Sequence, residues 1–268
     1  MVERLAIMHV ISGLRTGGAE QMLYRLAKAH SQLGAKSIIV SLETTGDFGE
    51  RIEEAGIELH ALGIRPGGLP SVLQLHRLRS ITISLRPDII QGWMYHGNLA
   101  ASLCAISGPA RAATVWNVRQ SLGPSSEESR RTRWVIASGK MLSRLPAAII
   151  FNSQQSIEQH LKIGYKNKNI IFIPNGFDTK ELRRDFEKGH LLRFKHGIEP
   201  PTKVICHIGR FHPKKDHQTF VSAISIVLAC RPNVRLLMAG RGVNSGSELF
   251  RETLKNDHFR RAAVLMGE

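Results

Sequence analysis

Two glycine-containing segments of the sequence have the composition of anion-binding turns. In the first, Gly17 and Gly18 follow an apolar run and precede a segment of helical period. Backbone N–H groups and the positive end of a helix dipole attract an anion at such a place, and glycine lets a ligand approach the backbone closely. The segment predicts a phosphate site, with a tight turn that needs glycine only for its conformation as the alternative. It is not G-x-G-x-x-G, which disfavours a nicotinamide cofactor.

The second segment, GRFHPKKD at residues 209–216, carries Arg210 and Lys215 directly after another apolar run. In α/β folds the turn after a strand presents ligand-binding groups. A cation about 4 Å from a phosphate contributes about 4 kcal/mol at an effective dielectric constant of about 20. The two cations together could therefore stabilise a diphosphate leaving group. The alternative is a solvated basic loop.

The elements that must position these residues alternate between short apolar runs and segments of helical period. This alternation is typical of a parallel sheet with crossover helices, so the sequence predicts an α/β fold. The predicted strands cover residues 5–11, 37–42, 57–62, 88–93, 112–116, 147–151, 170–173, 203–208, 234–239 and 262–266. The predicted helices cover residues 19–33, 50–55, 72–85, 99–106, 125–144, 217–230 and 247–255. A further helix follows Asn152 and Ser153, either of which could cap it.

The distribution of these elements predicts two domains. Residues 1–177 form an N-terminal domain, and the charged stretch at 178–201 is interpreted as a linker. Residues 202–268 begin a second domain with three predicted strands. Because a self-standing domain usually needs about 100–150 residues, we expect this second domain to be incomplete.

Composition and charge narrow the classes of protein. The chain is 42% apolar and carries a formal net charge of +15, which favours an anionic partner. An aromatic content of 6% and the lack of any RRM, KH or zinc-finger pattern argue against nucleic acid. The three cysteines form no C-x-x-C pair, and the apolar run at 5–11 is too short for a membrane span or a signal peptide. We therefore expect a cytoplasmic protein.

Four motifs, taken in order along the chain, resemble those of family 4 glycosyltransferases. They are TGGAE at 16–20, QGWMYHGN at 91–98, IPNGFD at 173–178 and GRFHPKK at 209–215. Each motif is weak alone, but the spacing of the last two is specific. The resemblance covers the whole chain and implies a GT-B fold, with two Rossmann-like domains around a cleft.

The resemblance also implies roles for individual residues. Gly17 and Gly18 would approach the phosphates of a nucleotide-sugar donor, Arg210 and Lys215 would clamp them, and His96 would line the reaction centre. Arg119 and Asn175 are expected to face the cleft. For His96 the alternative is a cap on the predicted helix at 99–106.

The implied reaction transfers a sugar with retention of anomeric configuration, to a glycan or lipid-linked acceptor in polysaccharide biosynthesis. It needs no metal or cofactor, and no Asp-x-Asp pair for a divalent ion occurs in the sequence. UDP-sugars are favoured over GDP-sugars as the commoner donors of the family.

The sequence departs from the family in one respect. Family members continue to a Glu-x₇-Glu segment whose carboxylates grip the donor, and only Glu50 and Glu58 have this spacing, in the wrong domain. We therefore expect a C-terminally truncated chain of impaired activity. The alternatives are an inactive remnant or binding module, or a nucleotide-sugar epimerase on the same fold.

The predicted helix at 125–144 concentrates basic residues around apolar ones such as Trp134, Val135 and Leu142. Its cations are Arg130, Arg131, Arg133, Lys140 and Arg144. Each cation near an anionic bilayer surface contributes about 1 kcal/mol. The helix therefore predicts peripheral binding at the inner face of the plasma membrane, with an ordinary solvated helix face as the alternative.

Overall fold

The structure is a computed structural model that describes residues 5–107, 112–123, 130–180, 182–231 and 233–267. The chain divides into two compact units, Met1–Phe177 and Asp178–Glu268. Both units have an α/β architecture, as the sequence predicts.

The first unit is built on a parallel sheet of seven strands. These are β1 (Ala6–Ile11), β2 (Lys36–Ser41), β3 (Glu58–Ala61), β4 (Ile89–Trp93), β5 (Ala113–Val118), β6 (Ala148–Phe151) and β7 (Ile170–Phe172). The helices are α1 (Gly18–Gln32), α2 (Gly49–Glu54), α3 (Val72–Leu85), α4 (Met94–Ser107), α5 (Arg130–Leu142) and α6 (Gln154–Lys162). Residues 125–129 of the predicted basic helix lie outside the described residues.

The strand order is β3-β2-β1-β4-β5-β6-β7, and every pairing is parallel. The direction of winding reverses between β1 and β4, which makes that point the topological switch of the sheet. Alternate residues of β1 serve opposite faces: Met8 packs in one hydrophobic cluster with α3 and α4, and Ile11 packs in another with α1 and α2. The sheet is thus covered by helices on both faces.

Helix α4 begins earlier than the sequence predicts. It starts at Met94, immediately after β4, and not at residue 99. Met94 adopts a left-handed backbone with φ of 61°, which turns the chain sharply. A Cβ on Gly97 would collide with the carbonyl oxygen of Val10, and a Cβ on Gly92 would lie 2.5 Å from the Cα of Asn98. The first turn of α4 therefore lies against the switch point, where only glycine fits.

The second unit contains a parallel sheet of three strands in the order β10-β9-β8. Its elements are α7 (Phe186–Lys195), β8 (Lys203–Ile208), α8 (His217–Cys230), β9 (Val234–Ala239), α9 (Glu248–Thr253), α10 (Asp257–Ala262) and β10 (Ala263–Gly267). Val221, Leu228 and Phe250 pack on Leu236 and Met238 of the central strand.

Two helices of this unit differ from the sequence-based expectation. Helix α7 lies inside the charged stretch at 178–201, where its N-cap Asp185 accepts a hydrogen bond from the Lys188 amide. The predicted helix at 247–255 ends at Thr253, and α10 follows it unforeseen. Asn256 starts α10 by accepting hydrogen bonds from the amides of His258 and Phe259, at 2.9 and 3.2 Å. Among the described residues, no helix has both the length and the apolar content needed to cross a membrane.

Candidate functional site

The predicted site residues of the first unit follow different strands of one parallel sheet. Gly17 and Gly18 follow β1, His96 follows β4, Arg119 follows β5 and Asn175 follows β7. Because the carboxyl ends of parallel strands meet at one edge, all of these residues lie at the carboxyl edge of the sheet, and β1 and β4 flank its switch point. In open α/β sheets this is where ligands bind.

The glycine turn before α1 is held by a neighbouring loop. The backbone N–H and the hydroxyl of Thr16 both donate to the Asp47 carboxylate, at 2.6 and 2.7 Å. Gly17 is the N-cap of α1 and no side chain caps the helix. A Cβ on Gly18 would have nothing within 4 Å, whereas one on Gly17 would meet the Glu20 carboxylate. The helix terminus is therefore open above Gly18, with an acidic side chain beside it.

His96 lies exposed in the first turn of α4, between two buried anchors. On one side the Tyr95 hydroxyl is 3.0 Å from Nε2 of the buried His160. On the other, the Asn98 side chain accepts a hydrogen bond from the Asn117 amide at 3.1 Å. Partial desolvation lowers the pKa of His96, which favours a neutral imidazole. The alternative in which His96 caps a helix over 99–106 is wrong, because the helix begins at Met94.

Arg119 and Asn175, 56 residues apart in the chain, are brought into direct contact. Arg119 donates a short hydrogen bond to the Asn175 side-chain oxygen and a second one, of 3.3 Å, to Asn117. Its guanidinium lies 5.4 Å from the centre of the Trp93 ring, a cation–π distance. Asn152 also donates to Asn175, at 3.4 Å.

The charge of Arg119 is not neutralised by any carboxylate in the part of the chain that the structure describes. The side chain is half-buried, its Nε is buried without a hydrogen-bond partner, and burial lowers its pKa. Guanidinium pKa values are so high that the group stays charged. The carboxyl edge therefore contains an oriented cation whose partners are neutral amides and an indole ring.

Beneath Arg119 lies a buried pair that the sequence analysis missed. The Trp93 indole N–H donates to Nδ1 of His9 at 3.3 Å, and the rings of His9 and His30 stack at 5.8 Å. His9 is fully buried in β1, and burial lowers its pKa to about 3, with repulsion from His30 as a smaller cause. His9 is therefore neutral and can accept from Trp93. The sequence signal that could have revealed this pair is a histidine in the middle of an apolar strand.

The basic loop of the second unit, residues 209–216, is placed by close backbone contacts. The Gly209 amide donates to Ala239 at 2.8 Å, and a Cβ on Gly240 would collide with the Gly209 carbonyl. The Lys215 side chain lies along Gly209, 3.4 Å from where a Cβ would stand. Arg210 and Lys215 are exposed, and neither forms an ion pair with a described residue. The loop thus offers two cations to an anionic ligand.

The acidic residues that the structure describes form no cluster with the composition of a metal site. Within the described ranges, no group of three His, Cys, Asp or Glu side chains could hold a metal ion. The Glu50 and Glu58 pair lies on α2 and β3, and the Glu58 carboxylate forms an ion pair with Lys36 at 2.9 Å and a hydrogen bond with His60 Nε2 at 2.8 Å. Glu58 has a structural role.

These features define a class of protein made of two Rossmann-like α/β units with polar and basic groups at the carboxyl ends of their strands. Comparison with known protein families narrows this class to one family. A family model for Glycosyltransferase Family 4 matches residues 16–181. This match covers more than half of the chain, and the chain belongs to that family.

Two curated relatives are similar to parts of this chain. The lipopolysaccharide core biosynthesis mannosyltransferase LpsB of Rhizobium meliloti (strain 1021) is 28% identical over 117 residues, 44% of this chain and 30% of that protein. A D-inositol 3-phosphate glycosyltransferase of Segniliparus rotundus is 26% identical over 157 residues, 58% of this chain and 33% of that protein. The matches thus span about a third of the length of these relatives.

Solved structures show the same fold. HepE of Anabaena, in complex with UDP and glucose, has a TM-score of 0.81 at 18% identity, covering 98% of this chain and 69% of that one. A UDP-N-acetylglucosamine 2-epimerase has a TM-score of 0.59 at 15% identity, covering 99% of this chain and 69% of that one. The predicted GT-B-like fold is confirmed, and the likeness to the epimerase is the weaker of the two.

Proposed function

We propose that this chain transfers a sugar from a nucleotide-diphosphate sugar to a glycan or lipid-linked acceptor, with retention of anomeric configuration. UDP-sugars are the favoured donors. The observation that carries the proposal is the basic loop, where Arg210 and Lys215 stand exposed at the end of β8 and form no ion pair with a carboxylate among the residues that the structure describes. Membership of Glycosyltransferase Family 4 supports it.

The chemical task of the loop is to bind the donor diphosphate and stabilise it as it leaves. Cleavage of the sugar–phosphate bond puts negative charge on the departing nucleotide. Cations fixed near that charge lower the activation barrier, because their attraction to the nucleotide is stronger in the transition state than in the ground state. A divalent ion does this in enzymes with an Asp-x-Asp pair, which this sequence lacks. We propose that Arg210 and Lys215 do so here. In the first unit, the N-terminus of α1 at Gly17 and Gly18 is proposed to attract donor phosphates through its backbone N–H groups.

His96 is proposed to contact the donor sugar. The lowered pKa keeps its imidazole neutral near pH 7, so one ring nitrogen can donate a hydrogen bond and the other can accept one. Tyr95 and Asn98 fix the turn that carries it. Arg119, oriented by Asn117 and Asn175, is proposed to face a polar or anionic group of a substrate.

Product analysis tests the proposal. The chain is incubated with UDP-sugars labelled in the sugar and with a lipid or glycan extract as acceptor, and the label is followed. Label on the acceptor with its anomeric configuration kept, as shown by NMR, is the expected result. Label in an altered nucleotide sugar, without acceptor, would establish an epimerase. An unchanged donor that the chain still binds would indicate a binding module, and an unchanged donor without nucleotide binding would indicate an inactive remnant.

The place of the reaction is also proposed. A net charge of +15 favours anionic surroundings, and helix α5 exposes Arg130, Arg131, Arg133 and Lys140 to solvent. We propose that the protein works in the cytoplasm, at the inner face of the plasma membrane.

A further inference from the structure

Two neighbouring segments of the first unit expose large apolar side chains to solvent. In the segment that leads into α3, Leu69, Val72 and Leu73 are 83%, 85% and 77% exposed. On α5, Trp134 and Met141 are 76% and 81% exposed. Single exposed apolar residues are ordinary, but a group of them marks a site that contacts a partner or a membrane.

The two segments adjoin each other. A Cβ on Gly67 would lie 3.8 Å from the guanidinium of Arg131, at the start of α5. Residues 62–71 follow the carboxyl end of β3, and α5 follows that of β5. Both segments therefore begin at the carboxyl edge of the sheet, the edge that carries His96 and Arg119.

Packing determines which side of α5 is exposed. Its buried side carries Ile136 and Gly139, and the Tyr165 hydroxyl donates to the Ile136 carbonyl at 3.2 Å. A Cβ on Gly139 would collide with that hydroxyl, so the helix lies tightly on Tyr165. Arg130, Trp134 and Met141 follow one another at helical spacing on the outer side.

Cations predominate in the sequence of both segments, although Glu127 and Glu128 lie just before α5. The sequence contains no Asp or Glu between residues 59 and 87 or between residues 129 and 157. The exposed cations in the two segments are Arg65, Arg130, Arg131, Arg133 and Lys140, and Arg77, Arg79 and Arg144 are exposed farther along the chain. An anionic lipid bilayer takes apolar side chains into its interface and attracts cations to its surface. A protein surface that exposes both kinds of side chain therefore matches such a bilayer.

We infer that residues 65–73 and the exposed side of α5 form a membrane-contact surface for anionic lipid bilayers. This rests on the proposed function, since it names the partner surface at which that reaction would take place. Two copies of the chain would not pair through this surface, because each would present the same positive charge to the other.

The protein carries its own reporter for a test. Of its three tryptophans, Trp93 and Trp116 are 1% exposed, so only Trp134 can change its solvent contact on binding. Vesicles of phosphatidylglycerol mixed with phosphatidylcholine should shift the fluorescence emission of Trp134 to the blue, and the protein should sediment with them. Vesicles of phosphatidylcholine alone should bind at least about tenfold less.

The variant Leu69→Ser, Leu73→Ser should bind the anionic vesicles about tenfold or more weakly, since two buried leucines are lost from the interface. The control Leu191→Ser, Phe194→Ser removes side chains that are 67% and 86% exposed on α7, and should bind as the unaltered chain does. Equal binding by both variants, no emission shift with anionic vesicles, or concentration-dependent dimerisation lost in the Leu69 variant would overturn the inference.

Donor binding, measured by calorimetry with UDP, separates this inference from the proposed function. The Leu69→Ser, Leu73→Ser variant should bind UDP as the unaltered chain does. Vesicle binding without UDP binding would leave the surface standing and contradict the transferase proposal. UDP binding without vesicle binding would support the donor site and contradict the membrane-contact surface.

Discussion

The carboxyl edge of the first unit and the basic loop of the second hold their cations in opposite ways. Arg119 is half-buried, bonded to Asn117 and Asn175, and stacked near Trp93. Arg210 and Lys215 are exposed and are positioned by backbone contacts at Gly209 and Gly240. A bonded, half-buried arginine contributes to the fold as well as to a site, whereas an exposed cation can be removed with little effect on folding.

The largest expected effect concerns Gly97, which lets the first turn of α4 approach β1 at the carboxyl edge of the first unit's sheet. Gly97→Ala should lower the free energy of unfolding by about 3 kcal/mol, because its Cβ would collide with the Val10 backbone, which cannot move aside cheaply. Urea unfolding measures this change. Gly189→Ala on α7 is the matched control, since nothing lies within 4 Å of its Cβ position; it should raise stability by up to about 1 kcal/mol. Similar losses for both variants would contradict the close approach at the switch point.

The next effect is a pH dependence that arises from His9. Burial lowers its folded pKa to about 3, while the unfolded value is about 6.5. The unfolded chain therefore binds more protons below pH 6.5, and stability falls as pH falls through that value. His9 alone should account for a loss of about 2 kcal/mol between pH 7 and pH 5.

His9→Gln keeps a hydrogen-bond acceptor for Trp93 but does not titrate. Chemical unfolding of this variant should show a shallower loss of stability between pH 7 and pH 5 than the unaltered chain. Some slope should remain, because burial also lowers the pKa of His30, His160 and His217. An unchanged slope would mean that His9 is not buried in its neutral form.

A smaller effect on stability distinguishes the half-buried Arg119 from the exposed Arg210. Arg119→Ala should cost about 1–2 kcal/mol of stability, because it leaves the Asn117 oxygen without its donor, leaves Asn175 with only the 3.4 Å bond from Asn152, and removes the contact with Trp93. Arg210→Ala should change stability by less than about 0.5 kcal/mol. Thermal unfolding of both variants makes the comparison. A larger loss for Arg210→Ala would reverse the roles assigned to the two regions.

The sequence predicts the strands of the first unit well because buried parallel strands appear as short apolar runs. The run at 88–93, for example, becomes β4 at Ile89–Trp93. The start of α4 was predicted too late because Tyr95, His96, Gly97 and Asn98 are weak helix formers. These residues are required there by contacts with β1 and β5, which local propensity does not report.

The candidate site is only partly predictable from sequence. The motifs contain His96 and Asn175, and the family resemblance adds Arg119, but the contact between Arg119 and Asn175 spans 56 residues and depends on how β5 and β7 pack. Likewise, the Trp93 and His9 pair joins β4 to β1 across the sheet. Such contacts follow from the tertiary fold and leave no local signal.

Calorimetric titration of the purified chain with UDP and UDP-sugars tests the central claim most directly. We expect a dissociation constant near 1 μM, a binding free energy of about 8 kcal/mol. In Arg210→Ala, Lys215→Ala binding should weaken at least about a hundredfold, since hydrogen bonds to charged groups contribute about 1.5–3 kcal/mol each. Lys203→Ala, Arg231→Ala, which removes the same charge from the start of β8 and the end of α8, should bind as the unaltered chain does. Equal weakening in both variants, or no binding of any nucleotide to the unaltered chain, would contradict a donor site at the basic loop.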